Sequence, residues 1–190
     1  MTTWRNLRRG AGILAVLIGA IWLVEILDRA IFGGSLQTYG ILPRTQQGLT
    51  GILLAPLLHG EVDHLLANTG GVLIFGGLIV LRNERHFWTV TVIGALASGA
   101  GTWLFGRPGM HIGASGVVFA YFGYLLATGW FERRVGSLLL SIGVFLIWGP
   151  TLLGVMPTAR GISWEGHVFG LVGGILAAWV LAGRPLRGGI

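Results

Sequence analysis

A chain of 190 residues that is 53% hydrophobic and only 11% charged, with a mean hydropathy of +0.76, lies far from soluble domains, where roughly a quarter of residues are charged. That composition describes an integral membrane protein. The net charge of +6 does not mark a nucleic-acid binder, because no basic run exceeds two residues and no basic face is interleaved with aromatics, and the absence of cysteine removes disulfides and thiolate metal sites.

Cutting the chain at its charged residues leaves six apolar stretches, at 10–28, 62–81, 87–106, 113–131, 135–157 and 165–183. Each is close to the roughly 20 residues a helix needs to cross hydrocarbon. The first follows Arg8-Arg9 and resembles a secretory signal, but Glu25 and Asp28 interrupt its end and no small-x-small cleavage site follows, so it reads as an anchor. Glu25 and Asp28 are expected on one helical face, solvated or paired with the next loop. That loop, from about Arg29 to Glu61, contains Gly33-Gly34, Pro43 and Pro56 and reads as an external connection with short helical pieces in the interface. Glu61 and Asp63 are expected to cap the second span. His86 belongs to the boundary after that span, and His111 to the loop before the fourth.

The expected fold is therefore all-α: a polytopic membrane protein, a compact bundle of six transmembrane helices forming one domain over 1–190, with no separate soluble domain. All 13 basic residues are arginine, a bias that suits a GC-rich bacterial genome. Nine of them (5, 8, 9, 82, 85, 133, 134, 184, 187) fall on one side of this layout and four (29, 44, 107, 160) on the other. The positive-inside bias then places both termini in the cytoplasm of a cell-membrane protein.

Polar residues inside the spans carry the functional signal, because each is costly in hydrocarbon unless it faces protein or water. His64 and Asn68 are four apart and share a helical face, with His59 just upstream. Ser115, within Ile112-Gly113-Ala114-Ser115-Gly116, begins the fourth span, and His167 begins the sixth. All three span starts lie on the external side. Two small-residue stripes reinforce this convergence: Gly116, Ala120 and Gly123 on the fourth span, and His167, Gly170 and Gly174 on the sixth. If the stripes pack, a hydroxyl and an imidazole meet at the head of one seam, which is the arrangement serine peptide hydrolysis requires.

With these residues in this order, the chain resembles the rhomboid family of intramembrane serine proteases over about residues 48 to 180. The resemblance rests on His59-x4-His64-x3-Asn68, on Gly113-Ala114-Ser115-Gly116, and on His167-x2-Gly170-x3-Gly174, in the second, fourth and sixth spans. It implies a nucleophile at Ser115, a general base at His167, and an oxyanion hole from His64, Asn68 and the Ser115 amide, with His59 supporting the loop. The chemistry so implied uses no cofactor and no metal. Its substrates would be transmembrane proteins, met within membrane lipid; nothing suggests a nucleic-acid partner, and the oligomeric state is open. Two features depart from the family pattern: the first external loop carries no Trp-Arg pair upstream of the histidines, where the chain reads Gly48-Leu49-Thr50-Gly51-Ile52, and Phe119 stands where many members have a tyrosine four residues after the serine. Glu165 is offset by two from His167, so it reads as a loop or interfacial contact and not as a triad acid. Two alternatives stand beside the protease: a catalytically inactive relative that binds transmembrane clients, and a proton or metal transporter with a buried site of His59, His64, His167 and Asn68.

Overall fold

The structure, a computed structural model, describes residues 4–157 and 162–182, with the side chains of Arg5 and Asn6 excepted. Arg160, Arg184 and Arg187, used above in the charge count, lie outside the described residues. Helix α1 (Trp4–Leu27) runs on through a π-helical segment (Asp28–Phe32) and stops at Gly33 and Gly34, whose φ values of 59° and 83° belong to the left-handed region that glycine adopts without strain. The connection that follows holds a 3-10 turn (Ser35–Tyr39), the short helix α2 (Gly48–Leu54) and a second turn (Ala55–Leu57). The second span is α3 (Val62–Gly71) joined through a π segment (Val72–Gly76) to α4 (Gly77–Arg82). It is followed by α5 (Glu84–Phe105), α6 (Ser115–Glu132), α7 (Val135–Trp148) with a 3-10 extension (Gly149–Val155), and α8 (Trp164–Ala182).

The molecule is all-helical and carries no strand among the described residues, so the expected all-α bundle is present. Five segments are long and apolar enough to cross a membrane: 7–32, 62–82, 84–105, 135–155 and 164–182. The remaining stretch, α6, is not among them and occupies the centre, packed against α5, α7 and α8. Tyr121, Phe122, Tyr124 and Leu125 are fully buried there. Each tyrosine hydroxyl is matched: Tyr121 with Thr91 Oγ1 at 2.7 Å and Tyr124 with His86 Nδ1 at 2.7 Å, which is how a polar group inside a bundle avoids the cost of desolvation. His86, expected as a mere boundary residue, is thus buried against the central helix.

Helices α6 and α8 share the largest interface of the fold, and the small-residue stripes are its reason. A methyl group placed on Gly170 would stand 2.1 Å from the Gly116 carbonyl oxygen, and one on Gly174 would stand 1.9 Å from that of Ala120. Only glycine lets backbones come this close. By contrast, α7 is peripheral and turns Leu139, Leu146 and Ile147 outward. At the end of the bundle away from Ser115, Arg82 donates to Glu132 Oε2 (2.6 Å) and to Ser137 Oγ (3.1 Å), and Asn83 caps α5 by accepting from the Arg85 amide at 3.0 Å.

One expectation about acids needs correction. Glu61 occupies the N-cap position of α3 in extended conformation, but its side chain makes no capping hydrogen bond, since its extra methylene carries the carboxylate past the amides that Ser, Thr, Asp or Asn would reach. Glu25 and Asp28 take the second of their two expected roles, paired with the loop and not solvated. They are 4% and 3% exposed, because Glu25 accepts from Arg29 Nε at 2.5 Å and Asp28 Oδ1 accepts from the Leu36 amide at 2.9 Å, a pairing with the loop.

Candidate active site

Three helix starts, those of α3, α6 and α8, meet at one end of the bundle and bring the polar residues of three spans together. Ser115 is the first residue of α6, placed there by a turn at Gly113 whose φ of 112° excludes ordinary side chains. The turn is tied from two sides. Gly113 donates its amide to the Ala55 carbonyl (2.8 Å), and Ile41 and His111 exchange two backbone hydrogen bonds of 2.9 Å each. The long connection after α1 is therefore a brace for the serine turn.

His167, one turn into α8, has its Nε2 2.9 Å from Ser115 Oγ. Its Nδ1 lies 2.7 Å from the Gly154 carbonyl oxygen. A carbonyl can only accept, so Nδ1 carries the proton and the Nε2 lone pair faces the hydroxyl. The ring is stacked on Phe119, with centroids 4.1 Å apart and planes within 11°. Phe119 thus supplies the stacking surface, and the Gly154 carbonyl supplies the polar constraint on the ring.

His64 and Asn68 flank the same turn. A methyl on Gly113 would stand 2.7 Å from His64 Nε2 and 3.5 Å from Asn68 Nδ2, so the absence of a side chain there opens a space into which both groups project. His59 lies behind them, 1% exposed. Its Nε2 faces both Asn68 Nδ2 at 2.9 Å and the Ala114 amide at 3.4 Å. The backbone amide can only donate, which makes Nε2 an acceptor and Asn68 Nδ2 the other donor. One Nδ2 hydrogen of Asn68 is thereby held, leaving the second for the space beside Gly113. Burial, with the nearby His64 ring, lowers the His59 pKa from 6.5 to about 4 against a smaller upward pull from the Leu57 carbonyl. His59 is neutral through the physiological range, as an acceptor must be.

Contacts of Arg107 and Ser163, which the sequence reading passed over, complete the arrangement with Glu165 and His111. Arg107 donates to Glu165 Oε1 from its amide (3.0 Å) and from Nε (2.9 Å), and its Nη2 reaches the Ile162 carbonyl at 2.6 Å. His111 donates from Nε2 to the Arg107 carbonyl (2.9 Å) and accepts at Nδ1 from Ser163 Oγ (2.7 Å). These bonds latch the loop carrying Ser115 to the start of α8, which carries His167. Glu165 is therefore a loop contact, and His111 is a structural link. The Trp-Arg pair missing from the first loop has a counterpart assembled from distant positions: Arg44 donates to the Leu104 and Gly106 carbonyls (3.1 and 2.9 Å), and Trp103 Nε1 donates to the Thr45 carbonyl (2.8 Å). Of these, only Ser163, a serine just before an apolar run, had a local signal.

A cavity of about 30 Å³ opens beside Ser115, lined among others by Ser98, Thr102, His111, Ser163 and Gly166. It has room for a single water-sized group with polar partners. Among the described residues no three His, Asp or Glu side chains converge as a metal site would require. The three histidines proposed for transport are instead divided between separate tasks, with His59 committed to Asn68 and His167 to Gly154 and Ser115.

The family model described as Rhomboid domain matches residues 46–184. An uncharacterized protein of Mycobacterium tuberculosis is 37% identical over 182 residues, spanning 91% of this chain and 75% of its own length. One from Mycobacterium leprae is 37% identical over 191 residues, spanning 95% and 75%. The RHOMBOID-like protein 4 of Arabidopsis thaliana is 33% identical over 168 residues, 82% of this chain and 41% of that protein.

Proposed function

The chain belongs to the rhomboid family of multi-pass membrane proteins, and from that premise we propose that it is an intramembrane serine endopeptidase acting on transmembrane protein substrates. The observation that carries this reading is the 2.9 Å approach of Ser115 Oγ to a His167 whose tautomer is set by the Gly154 carbonyl. His167 Nε2 takes the hydroxyl proton as Oγ attacks the scissile carbonyl; the imidazolium then gives that proton to the departing amine, and the acyl group stays on Ser115. A water molecule, deprotonated by His167, attacks the acyl carbon and restores the serine. Negative charge on the tetrahedral oxygen is met by the free Nδ2 hydrogen of Asn68, by His64 and by the Ser115 amide at the N-terminus of α6.

No carboxylate completes a triad in this scheme, and no metal or cofactor enters it. Orientation of His167 comes from Phe119 and Gly154, and close approach of its helix from Gly116, Gly170 and Gly174. The site opens at the external face of the cell membrane, opposite the arginine-rich end, so that both termini are cytoplasmic. Substrate segments reach it through the lipid. A fluorophosphonate probe tests the nucleophile directly: wild type should be labelled, while Ser115→Ala and His167→Ala should not. Labelling that survives in Ser115→Ala would place the reactive group elsewhere, and an unreactive wild type that still captures transmembrane segments would support the inactive client-binding reading.

A further inference from the structure

Helix α1 lies wholly outside the segment matched by the family model, which begins at residue 46, yet its end carries an uncommon feature for a membrane helix. Glu25 is 4% exposed, and its Oε2 has no hydrogen-bond partner among the described residues. Its Oε1 accepts from Arg29 Nε at 2.5 Å, and the same guanidinium donates from Nη2 to the Gly60 carbonyl at 3.1 Å. Gly60 directly follows His59. A buried carboxylate is a poor way to hold a helix in place, since an apolar residue would do so without desolvation. Glu25 instead holds the Arg29 guanidinium, whose Nη2 is thereby directed at the Gly60 carbonyl.

We infer that Glu25 and Arg29 form a positioning clamp for the active site: by holding the Gly60 carbonyl they fix His59, and through His59 the amide of Asn68. The chain of contacts is continuous, from Glu25 to Arg29, to Gly60, to His59, and from His59 Nε2 to Asn68 Nδ2 and the Ala114 amide at the serine turn. Arg29 sits in the π segment that follows α1, an element that often re-aims side chains at functional sites. The inference rests on the proposed protease reaction, because Asn68 matters only if an oxyanion forms.

The test combines activity with a structural readout on full-length protein in liposomes. Arg29→Gln should lower kcat by about tenfold at nearly unchanged KM, the scale expected when a transition-state donor is slightly misplaced. In a His59→Ala background the same substitution should add nothing, since the clamp would have no residue left to position. Hydrogen exchange over 58–64 should quicken in Arg29→Gln and in Glu25→Gln, with the remaining helices unchanged. Exchange that stays at the wild-type rate overturns the clamp whatever the activity. So does a kcat effect that multiplies in full with that of His59→Ala. If wild type cleaves no substrate, the protease reading fails on its own, and the exchange comparison still decides the clamp.

Discussion

Gly170 of α8 rests against the carbonyl of Gly116 on α6, so closely that a methyl on Gly170 would fall 2.1 Å from that oxygen. This contact, one residue after Ser115 and one turn after His167, sets the separation of the two helices at the point where hydroxyl and imidazole meet. Gly170→Ala should therefore force the helices apart. The expected cost is about 1–3 kcal/mol of stability, read as a lower melting temperature in detergent, together with a loss of fluorophosphonate labelling. A stable, fully labelled variant would show that the approach does not govern the pair.

This relationship was legible in the sequence because glycines at intervals of three and four can have only one geometric meaning on a helix. The six apolar stretches were legible for a similar reason, since charged residues punctuate them, and five of them are long and apolar enough to cross a membrane. What stayed hidden has no local signature. Gly154 acts through a carbonyl, which every residue possesses. Arg44 lies in the turn before α2 and Trp103 near the end of α5, far from each other in the chain, and the link of His59 to Ala114 spans 55 positions. Glu25 and Asp28 were expected in solvent or paired with the loop because nothing in their neighbours shows that the π segment folds them inward against that loop.

Gly154 offers a second check. A methyl there would stand 2.6 Å from Phe119 Cζ and 3.4 Å from His167 Nδ1, so Gly154→Ala should displace the carbonyl that fixes the tautomer or tilt the stacked ring. Because the segment is a peripheral 3-10 turn, folding should change little while kcat falls. Loss of stability with unchanged kcat would reassign Gly154 to packing.

The latch between Arg107 and Glu165 makes an asymmetric prediction. Glu165 is 2% exposed, so Arg107→Ala takes the guanidinium from a buried carboxylate and leaves it the backbone amide of residue 107 alone, whereas Glu165→Gln keeps an oxygen for that amide. Arg107→Ala should be the more destabilising, by about 1.5–3 kcal/mol, the range for hydrogen bonds to charged groups. The upper figures for fully buried pairs do not apply, since the Arg107 side chain is 46% exposed and water can partly replace it. Thermal unfolding of the two variants decides the order.

Acid should weaken the fold through His59. Its pKa falls from 6.5 to about 4 in the folded protein, so the unfolded chain takes up this proton first. The stabilisation is fully present above pH 6.5, declines as pH falls from 6.5 to 4, and changes no further below that. His59→Gln retains an acceptor for Asn68 but cannot titrate. The stability gap between wild type and His59→Gln should shift steadily in favour of the variant across that window; parallel pH profiles would show that His59 does not carry the effect.

The central claim is that Ser115 and His167 cleave peptide bonds within the membrane. The most direct measurement is cleavage of a panel of tagged single-span substrates in liposomes by wild type, Ser115→Ala and His167→Ala, with expression and melting temperature recorded for each. The account predicts cleavage by wild type alone, near the external end of the substrate span, with both variants folded and inactive. Cleavage by clean Ser115→Ala protein at more than a few per cent of the wild-type rate would contradict it.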